Sequence, residues 1–208
     1  MKFPAAQIAI FAREPEIGKV KTRLQPRLGA QGALRLYQAM LERTVATVQA
    51  ANLAPFSLWV TADPQHEGFA GLVAPAAVFR QQGENLGERM AHCGQRLLAG
   101  GAQSALIIGT DCPALDAGYL AIALHKLEMG VPVVLGPAED GGYVLLGLRQ
   151  APTALFAGID WGTARVLEQS LWQLEATGLE YELLPTLWDV DRPEDLLRLP
   201  SLQPPLNW

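Results

Sequence analysis

The chain has little of what marks several function classes. It holds two cysteines, Cys93 and Cys112, and three histidines in 208 residues. The cysteines fit neither a CxxC pair nor a zinc spacing, so they read as reduced thiols of a cytoplasmic protein. His66, His92 and His125 are scattered without ligand spacing and read as surface or capping residues. No apolar run approaches the roughly 20 residues that a membrane-spanning helix needs. The N-terminal apolar stretch reaches Arg13 too soon for a signal peptide. Lysine and arginine number 16 against 21 acids, a net charge of −5. That balance argues against a general nucleic-acid or anionic-membrane surface. A Walker A loop is also missing: Gly18-Lys19 is followed by Val20, where that motif needs Ser or Thr. There is no GxGxxG dinucleotide fingerprint.

What the chain does have is a supply of buried strands. Half of it is hydrophobic, enough for a large core. No repeat, linker or low-complexity segment divides it, so residues 1–208 read as one domain. Ser104-Ala-Leu-Ile-Ile is dense in branched side chains and stops at Gly109-Thr110-Asp111. This is the pattern of a buried parallel strand that delivers a carboxylate to its C-terminal edge, where open α/β sheets bind ligands. Asp111 there has three uses: helix N-cap, hydrogen-bond acceptor or metal ligand. Further strands are expected at Ala5 to Ala12, Pro55 to Thr61, Ala76 to Phe79, Val131 to Leu135, Val144 to Leu148 and Tyr181 to Pro185. Apolar residues at helical spacing predict a long helix from Gly29 or Ala30 to about Ala51. Further helices should end near Ala99, Glu128 and Gly178, the last with Thr163 as N-cap. One more helix separates the second and third strands in the expected order, and another follows Pro193. Repeated βα units imply a mostly parallel sheet covered on both faces. Asp140-Gly141 between two apolar runs is a hairpin signal and adds an antiparallel strand.

The first strand runs into a loop rich in Gly and Pro. Five of the 16 basic residues, Arg13, Lys19, Lys21, Arg23 and Arg27, fall within that short reach. Such crowding in an acidic protein suits an anion, because arginine offers phosphate a planar fork and lysine a point charge. The alternative is a solvated loop paired with Glu14 and Glu16. A second loop, Gln81-Gln82-Gly83-Glu84-Asn85, opens a helix whose first turn carries Leu86, Arg89 and Met90. Amides at a helix start suit an anion or a base edge. Glu139 and Asp140 stand beside Gly141 and Gly142, where backbone and ligand can approach closely. Asp191 precedes Arg192-Pro193-Glu194-Asp195 and is either a helix N-cap or a ligand. Asp63 reads as a turn or cap residue. The strand layout puts the basic loop, Asp111 and Asp191 on one rim, which suits a magnesium–phosphate ligand.

Six segments carry a resemblance. They are Phe11-Ala-Arg13-x-Pro15-x-x-Gly18-x-x-Lys21-Thr22-Arg23-Leu24, Gln82-Gly83 through Leu86-Gly87-Glu88-Arg89-Met90, Gly109-Thr110-Asp111-Cys112-Pro113, Glu139-Asp140-Gly141-Gly142-Tyr143, Trp161 with Thr163, and Asp189-Val-Asp191-x-Pro193-Glu194-Asp195-Leu196. With them the chain resembles the nucleotide-diphospho-sugar transferase superfamily, and within it the bacterial DUF2064 group, also called radical-SAM/selenodomain-associated transferases. More distantly it is similar to phospholactate guanylyltransferases and molybdenum-cofactor nucleotidyltransferases. The resemblance implies a three-layer α/β/α fold of the GT-A type, with a mostly parallel mixed sheet. It implies Asp111 and Asp191 as ligands of Mg2+ or Mn2+. It also implies that Gln82, Gly83 and Leu86 lie near the nucleotide base or ribose.

The candidate nucleotide contacts are Arg13, Gly18, Lys21, Thr22, Arg23, Gln82, Gly83, Leu86, Arg89, Thr110, Glu139, Gly141 and Gly142. Asp111, Lys21, Arg23 and Asp140 are the candidates for chemistry, with Glu139 or Asp140 as base if the acceptor is a hydroxyl. Nucleotidyl transfer from an NTP to a small phosphate-, carboxylate- or hydroxyl-bearing acceptor is the favoured reading. A GT-A glycosyltransferase using an NDP-sugar is the alternative, though Asp111 lacks the DxD common there. A non-catalytic nucleotide-binding module is the third. Trp161 either walls the acceptor pocket or packs under a loop.

Overall fold

The computed structural model describes all 208 residues. Seven strands form one sheet: β1 (Ala6–Ala12), β2 (Phe56–Val60), β3 (Val78–Arg80), β4 (Ser104–Ile108), β5 (Val133–Pro137), β6 (Tyr143–Leu148) and β7 (Tyr181–Leu183). Their order is β3-β2-β1-β4-β6-β5-β7. All pairings are parallel except those of β6, which runs antiparallel to both β4 and β5. The chain therefore leaves β1 in one direction, toward β2 and β3, and returns on the other side through β4. The crevice between the C-terminal ends of β1 and β4 is the switch point where such sheets bind ligands.

Strand alternation sorts the core into two layers. Ile8, Ile10, Leu58, Leu106, Ile108 and Val134 face α1 (Gln25–Ala51) and α3 (Ala117–Glu128). Ala9, Phe11, Trp59, Ile107, Leu135 and Leu146 face α2 (Leu86–Ala99) and α4 (Val166–Thr177). A third, smaller core joins Leu24, Leu36 and Met40 to Val190, Leu199 and Leu202. It folds the C-terminal segment back under α1. No helix is long and apolar enough to cross a membrane.

Most expected elements lie within about two residues of their places, with informative exceptions. Between β2 and β3 there is no α-helix, only 3-10 turns at Glu67–Phe69 and Pro75–Ala77. Pro64, Gly68, Gly71 and Pro75 leave no uninterrupted helical register there. After Pro193 the chain forms a 3-10 helix, Pro193–Ser201, that carries Pro200 inside it. Thr163 is not an N-cap: α4 starts at Val166, and the Thr163 hydroxyl instead donates to Asp160 O (2.8 Å). Asp63 makes the expected turn, accepting from Gln65 N at 2.8 Å.

The basic loop is fastened to this frame at its start. Tyr37 brackets Arg13: the Arg13 amide donates to the phenol oxygen (2.7 Å), and the hydroxyl donates to the Arg13 carbonyl (2.8 Å). The Glu14 carboxylate accepts from the Thr61 hydroxyl and from the amides of Ala62 (2.6 Å) and Asp63 (3.1 Å). The loop after β1 is thereby stapled to the loop after β2. Partial burial opposes the Glu14 charge, but these hydrogen bonds outweigh it and hold the carboxyl below its ordinary value of 4.5. A depressed folded value means that the contribution is complete above 4.5 and disappears as pH falls through it. The wild type should therefore lose more stability than Glu14→Gln between about pH 5 and 3, as read from urea midpoints at a series of pH values. Parallel pH profiles would show that the staple carries no charge-dependent stability.

Candidate active site

Three buried side chains aim the charged groups: Val190 the acids, Val20 and Leu24 the bases. Val190 is fully buried in the third core, and its extended neighbours Asp189 and Asp191 project the other way, into a cleft at the switch point. The Val190 amide donates to the Asp111 carbonyl at 2.9 Å, which docks this segment against the end of β4. Val20 and Leu24, both buried, hold the far end of the basic loop and present Lys21 and Arg23 between them. The helix-cap readings of the two aspartates do not hold. Asp116 caps α3 by accepting from Tyr119 N (2.8 Å), and Asp195 takes the amides of Asp191 (2.8 Å) and Arg192 (2.6 Å). Neither Asp111 nor Asp191 is spent on a helix cap.

The cleft holds about 650 Å³. Of the candidates, Arg13, Arg23, Leu86, Arg89, Thr110, Asp111, Asp140, Gly142 and Asp191 line it. Gly18, Lys21, Thr22, Gln82, Gly83, Glu139 and Gly141 do not. For Lys21, Glu139 and Gly141 the cause is local. The Lys21 side chain is only 5% exposed; its Nζ donates to Val190 O (2.6 Å) and pairs with Asp111 Oδ1 (2.8 Å). It is an internal counter-ion beneath the acids, not a hand held out to phosphate. Its backbone is left-handed (φ 46°), a conformation that side chains rarely adopt and that these two contacts hold in place. Glu139 is turned to Arg198, which grips it through Nη1 (2.5 Å) and Nη2 (3.0 Å). That removes Glu139 as a base and leaves Asp140, whose Oδ1 accepts from Gly142 N at 2.8 Å. Gly141 (φ 90°) lies flat against the backbone of Ala164, with no room for a Cβ. Lys19 pairs with Glu16 at the exposed loop tip, as the solvated-loop reading has it, while Glu14 takes no basic partner.

Two residues that the sequence reading passed over belong to the cleft. Asp189 lines it, and burial, the Asp140 charge and then the Asp111 charge push its carboxyl up to about 6, against the pull of Lys21. Its signal was the alternation Asp189-Val190-Asp191 around an apolar residue. Gln81, rather than Gln82, is the buried glutamine. Its Nε2 donates to Trp59 O (2.8 Å) and Ala12 O (3.3 Å), so the amide offers only its oxygen to anything bound nearby. Cys112, beside Asp111, has its thiol pushed up to about 12 by burial, so it is no nucleophile.

Asp111, Asp189 and Asp191 are hard oxygen donors with no histidine or cysteine among them, the donor chemistry of Mg2+ or Mn2+. No three side chains of the ligating types converge tightly enough to hold an ion by themselves. An ion fitting here takes the rest of its shell from water or a bound phosphate, as magnesium commonly does. Arg23 already pairs with Asp191 across the mouth. Removing the buried ammonium would leave Asp111 and Asp189 without their nearest cation. Lys21→Met should cost about 1–3 kcal/mol, less than a fully buried pair because Asp111 is half exposed. Adding Asp111→Asn to it should cost less than the sum of the two single changes in urea unfolding. Strict additivity would mean that the two groups do not interact.

A crystal structure of a Desulfovibrio desulfuricans G20 protein, provisionally described as a nucleotide-diphospho-sugar transferase, superimposes with a TM-score of 0.87 at 31% identity, covering 94% of this chain and 86% of that one. CMP:2-keto-3-deoxy-manno-octonic acid synthetase in complex with CTP matches at 12% identity and TM-score 0.61, over 96% of this chain and 98% of that one. A cytidylyltransferase from Leptospira borgpetersenii serovar Hardjo-bovis matches at 14% identity and TM-score 0.58, over 95% and 87%. The last two show the fold alone, a nucleotide-diphospho-sugar transferase fold. No curated protein matches the chain. Residues 44–163, more than half of the chain, match the model of a family described as uncharacterized proteins conserved in bacteria, DUF2064. With that match and the Desulfovibrio likeness, the chain belongs to the DUF2064 family.

Proposed function

We propose that the protein is a nucleotide-using transferase that moves a nucleotidyl group from an NTP to a small acceptor with Mg2+ or Mn2+. The observation that carries the reading is the meeting of Asp111 and Asp191 with Arg13, Arg23 and Arg89 around one cleft at the β1/β4 switch point. The coarser part, a nucleotide-using transferase, has the support of the structural neighbours: a protein provisionally described as a nucleotide-diphospho-sugar transferase, a cytidylyltransferase and a synthetase with CTP bound.

In this reading Asp111 and Asp191 would hold the metal, with Asp189 beside them, and a bound ion would withdraw charge from the phosphate oxygens. Arg13 and Arg23 take the phosphates from the basic side. Arg89 contributes from the first turn of α2; its Nε donates to Gly83 O at 3.0 Å. Thr110 and Gly142 shape the floor, and the Gln81 oxygen accepts from a base N–H. An acceptor oxygen attacks the α-phosphorus, the bond to the α–β bridging oxygen breaks, and pyrophosphate leaves with the electron pair. Asp140 takes the proton when the acceptor is a hydroxyl. A second reading, glycosyl transfer from an NDP-sugar, is favoured by one feature: the Asp189-Val190-Asp191 pair presents two carboxylates to the cleft with DxD spacing. The acids and cations of an active site are all present, which argues against a purely binding module.

Asp111→Asn should abolish magnesium-dependent nucleotide binding while the variant still unfolds cooperatively; an unchanged Mg–NTP titration would refute the assignment. Across a thermal-shift panel of NTPs and NDP-sugars with Mg2+ or Mn2+, NTPs should give the larger shifts. The reverse ranking would select the glycosyl reading.

A further inference from the structure

The cleft has two unlike lips, because it straddles the edge of the sheet. The β1–α1 lip and the docked C-terminal segment carry Arg13, Arg23 and the aspartates. The opposite lip is built by the layer that contains α2 and α4, from Leu86, Met90, Tyr143, Trp161, Thr163 and Val166. Its part formed by Tyr143, Trp161, Thr163 and Val166 contains no charge, while its α2 part is flanked by Arg89 and Glu84. The indole of Trp161 is fixed there: a Cβ on Gly87 would lie 2.4 Å from its ring, and Tyr143 stands edge-on to it, centroids 6.4 Å apart at 87°. Neighbouring charges are accounted for. Arg165, on the same segment, is turned to Asp160 at 2.7 Å and does not line the cleft. Arg89 lines the cleft from α2; its Nε is held by Gly83 O, and in the reading above the rest of its guanidinium serves the nucleotide. The charge that adjoins the Trp161 part is negative. Gly141 packs on Ala164, and its carbonyl accepts from Leu167 N at 2.9 Å, which brings the Asp140 turn against the Trp161–Val166 segment.

We propose that the acceptor is an uncharged molecule presenting a hydroxyl from a flat, apolar body that rests on Trp161, Tyr143 and Met90. This rests on the transferase reading above and narrows its acceptor. A phosphate or carboxylate beside Trp161 would meet the Asp140 carboxylate and would have to compete with the nucleotide for Arg89, whereas a ring gains area and offset or edge contact with fixed aromatics. The hydroxyl then lies on the Asp140 side. Its oxygen forms the new bond to phosphorus, its proton goes to the Asp140 carboxylate, and pyrophosphate departs.

The test uses the full chain with Mg2+ and a mixture of α,β-methylene NTP analogues, which occupy the nucleotide half without reacting. Saturation-transfer NMR and tryptophan fluorescence then rank three probes that share a ring: 2-phenylethanol, phenyl phosphate and 3-phenylpropionate. The alcohol should bind at least tenfold more tightly than either anion. Trp161→Ala should remove its ring signals while changing nucleotide affinity less than threefold. Thr163→Lys, at an exposed position, should raise phenyl phosphate binding severalfold and leave the alcohol unchanged. Anions that bind as well as the alcohol in the wild type would overturn the proposal. So would alcohol binding that is indifferent to Trp161→Ala, or a large nucleotide loss in that variant, which would make the indole a base platform. Failure of the analogues to bind the wild type would instead refute the transferase reading itself.

Discussion

One ammonium holds the acidic side of the cleft together. Lys21 reaches from the loop after β1 to the Asp111 carboxylate and the Val190 carbonyl, while the Val190 amide binds the Asp111 carbonyl. Three stretches that are far apart in sequence meet at that point. Without a cation among them, Asp111, Asp189 and Asp191 would repel one another at the end of a buried strand. The position of Lys21 explains its left-handed backbone and its burial together. The same contact lowers the Asp189 carboxyl against the other influences that raise it.

Around this joint, the cleft's chemistry is divided by the sheet itself. Side chains alternate along each strand, so the two faces build separate cores, and each core supplies one lip. Apart from Arg89 on α2 and Asp140 on the β5–β6 turn, the cleft's ion-pairing groups come from the α1 face and its small third core, and the Trp161–Tyr143 surface comes from the α2 and α4 face. The division does not require a long insertion. It follows from where β1, β4 and β6 end and from which neighbour of each terminal residue is buried.

Much of this was legible in the chain. The apolar runs located the strands within a few residues because seven short, branched segments leave few alternatives, and Asp140-Gly141 marked the reversed strand. The rim shared by Asp111 and Asp191 followed from strand order alone. What stayed hidden was orientation. Lys21 and Arg23 look alike in sequence, yet Val20 and Leu24 anchor the loop so that one is buried and the other lies at the mouth. Glu139 and Asp140 are adjacent, and only the distant Arg198 decides which of them leaves the cleft. Gln81 and Gln82 are indistinguishable until the carbonyls of Trp59 and Ala12 select one. Long-range partners made these choices, and local pattern carries no record of them.

The reversed direction of β6 has a further consequence. In a purely parallel sheet, every connection at the ligand-binding edge leads into a helix, and lengthening one strains the layer behind it. Here β5 and β6 meet at that edge through a tight turn, from Pro137 to Tyr143. Glu139 on Arg198 and Gly141 on Ala164 pin the tip of that turn, so Asp140 is held at a fixed reach over the cleft. The reversal thus lets a short hairpin add a carboxylate to the cleft without a helix behind it.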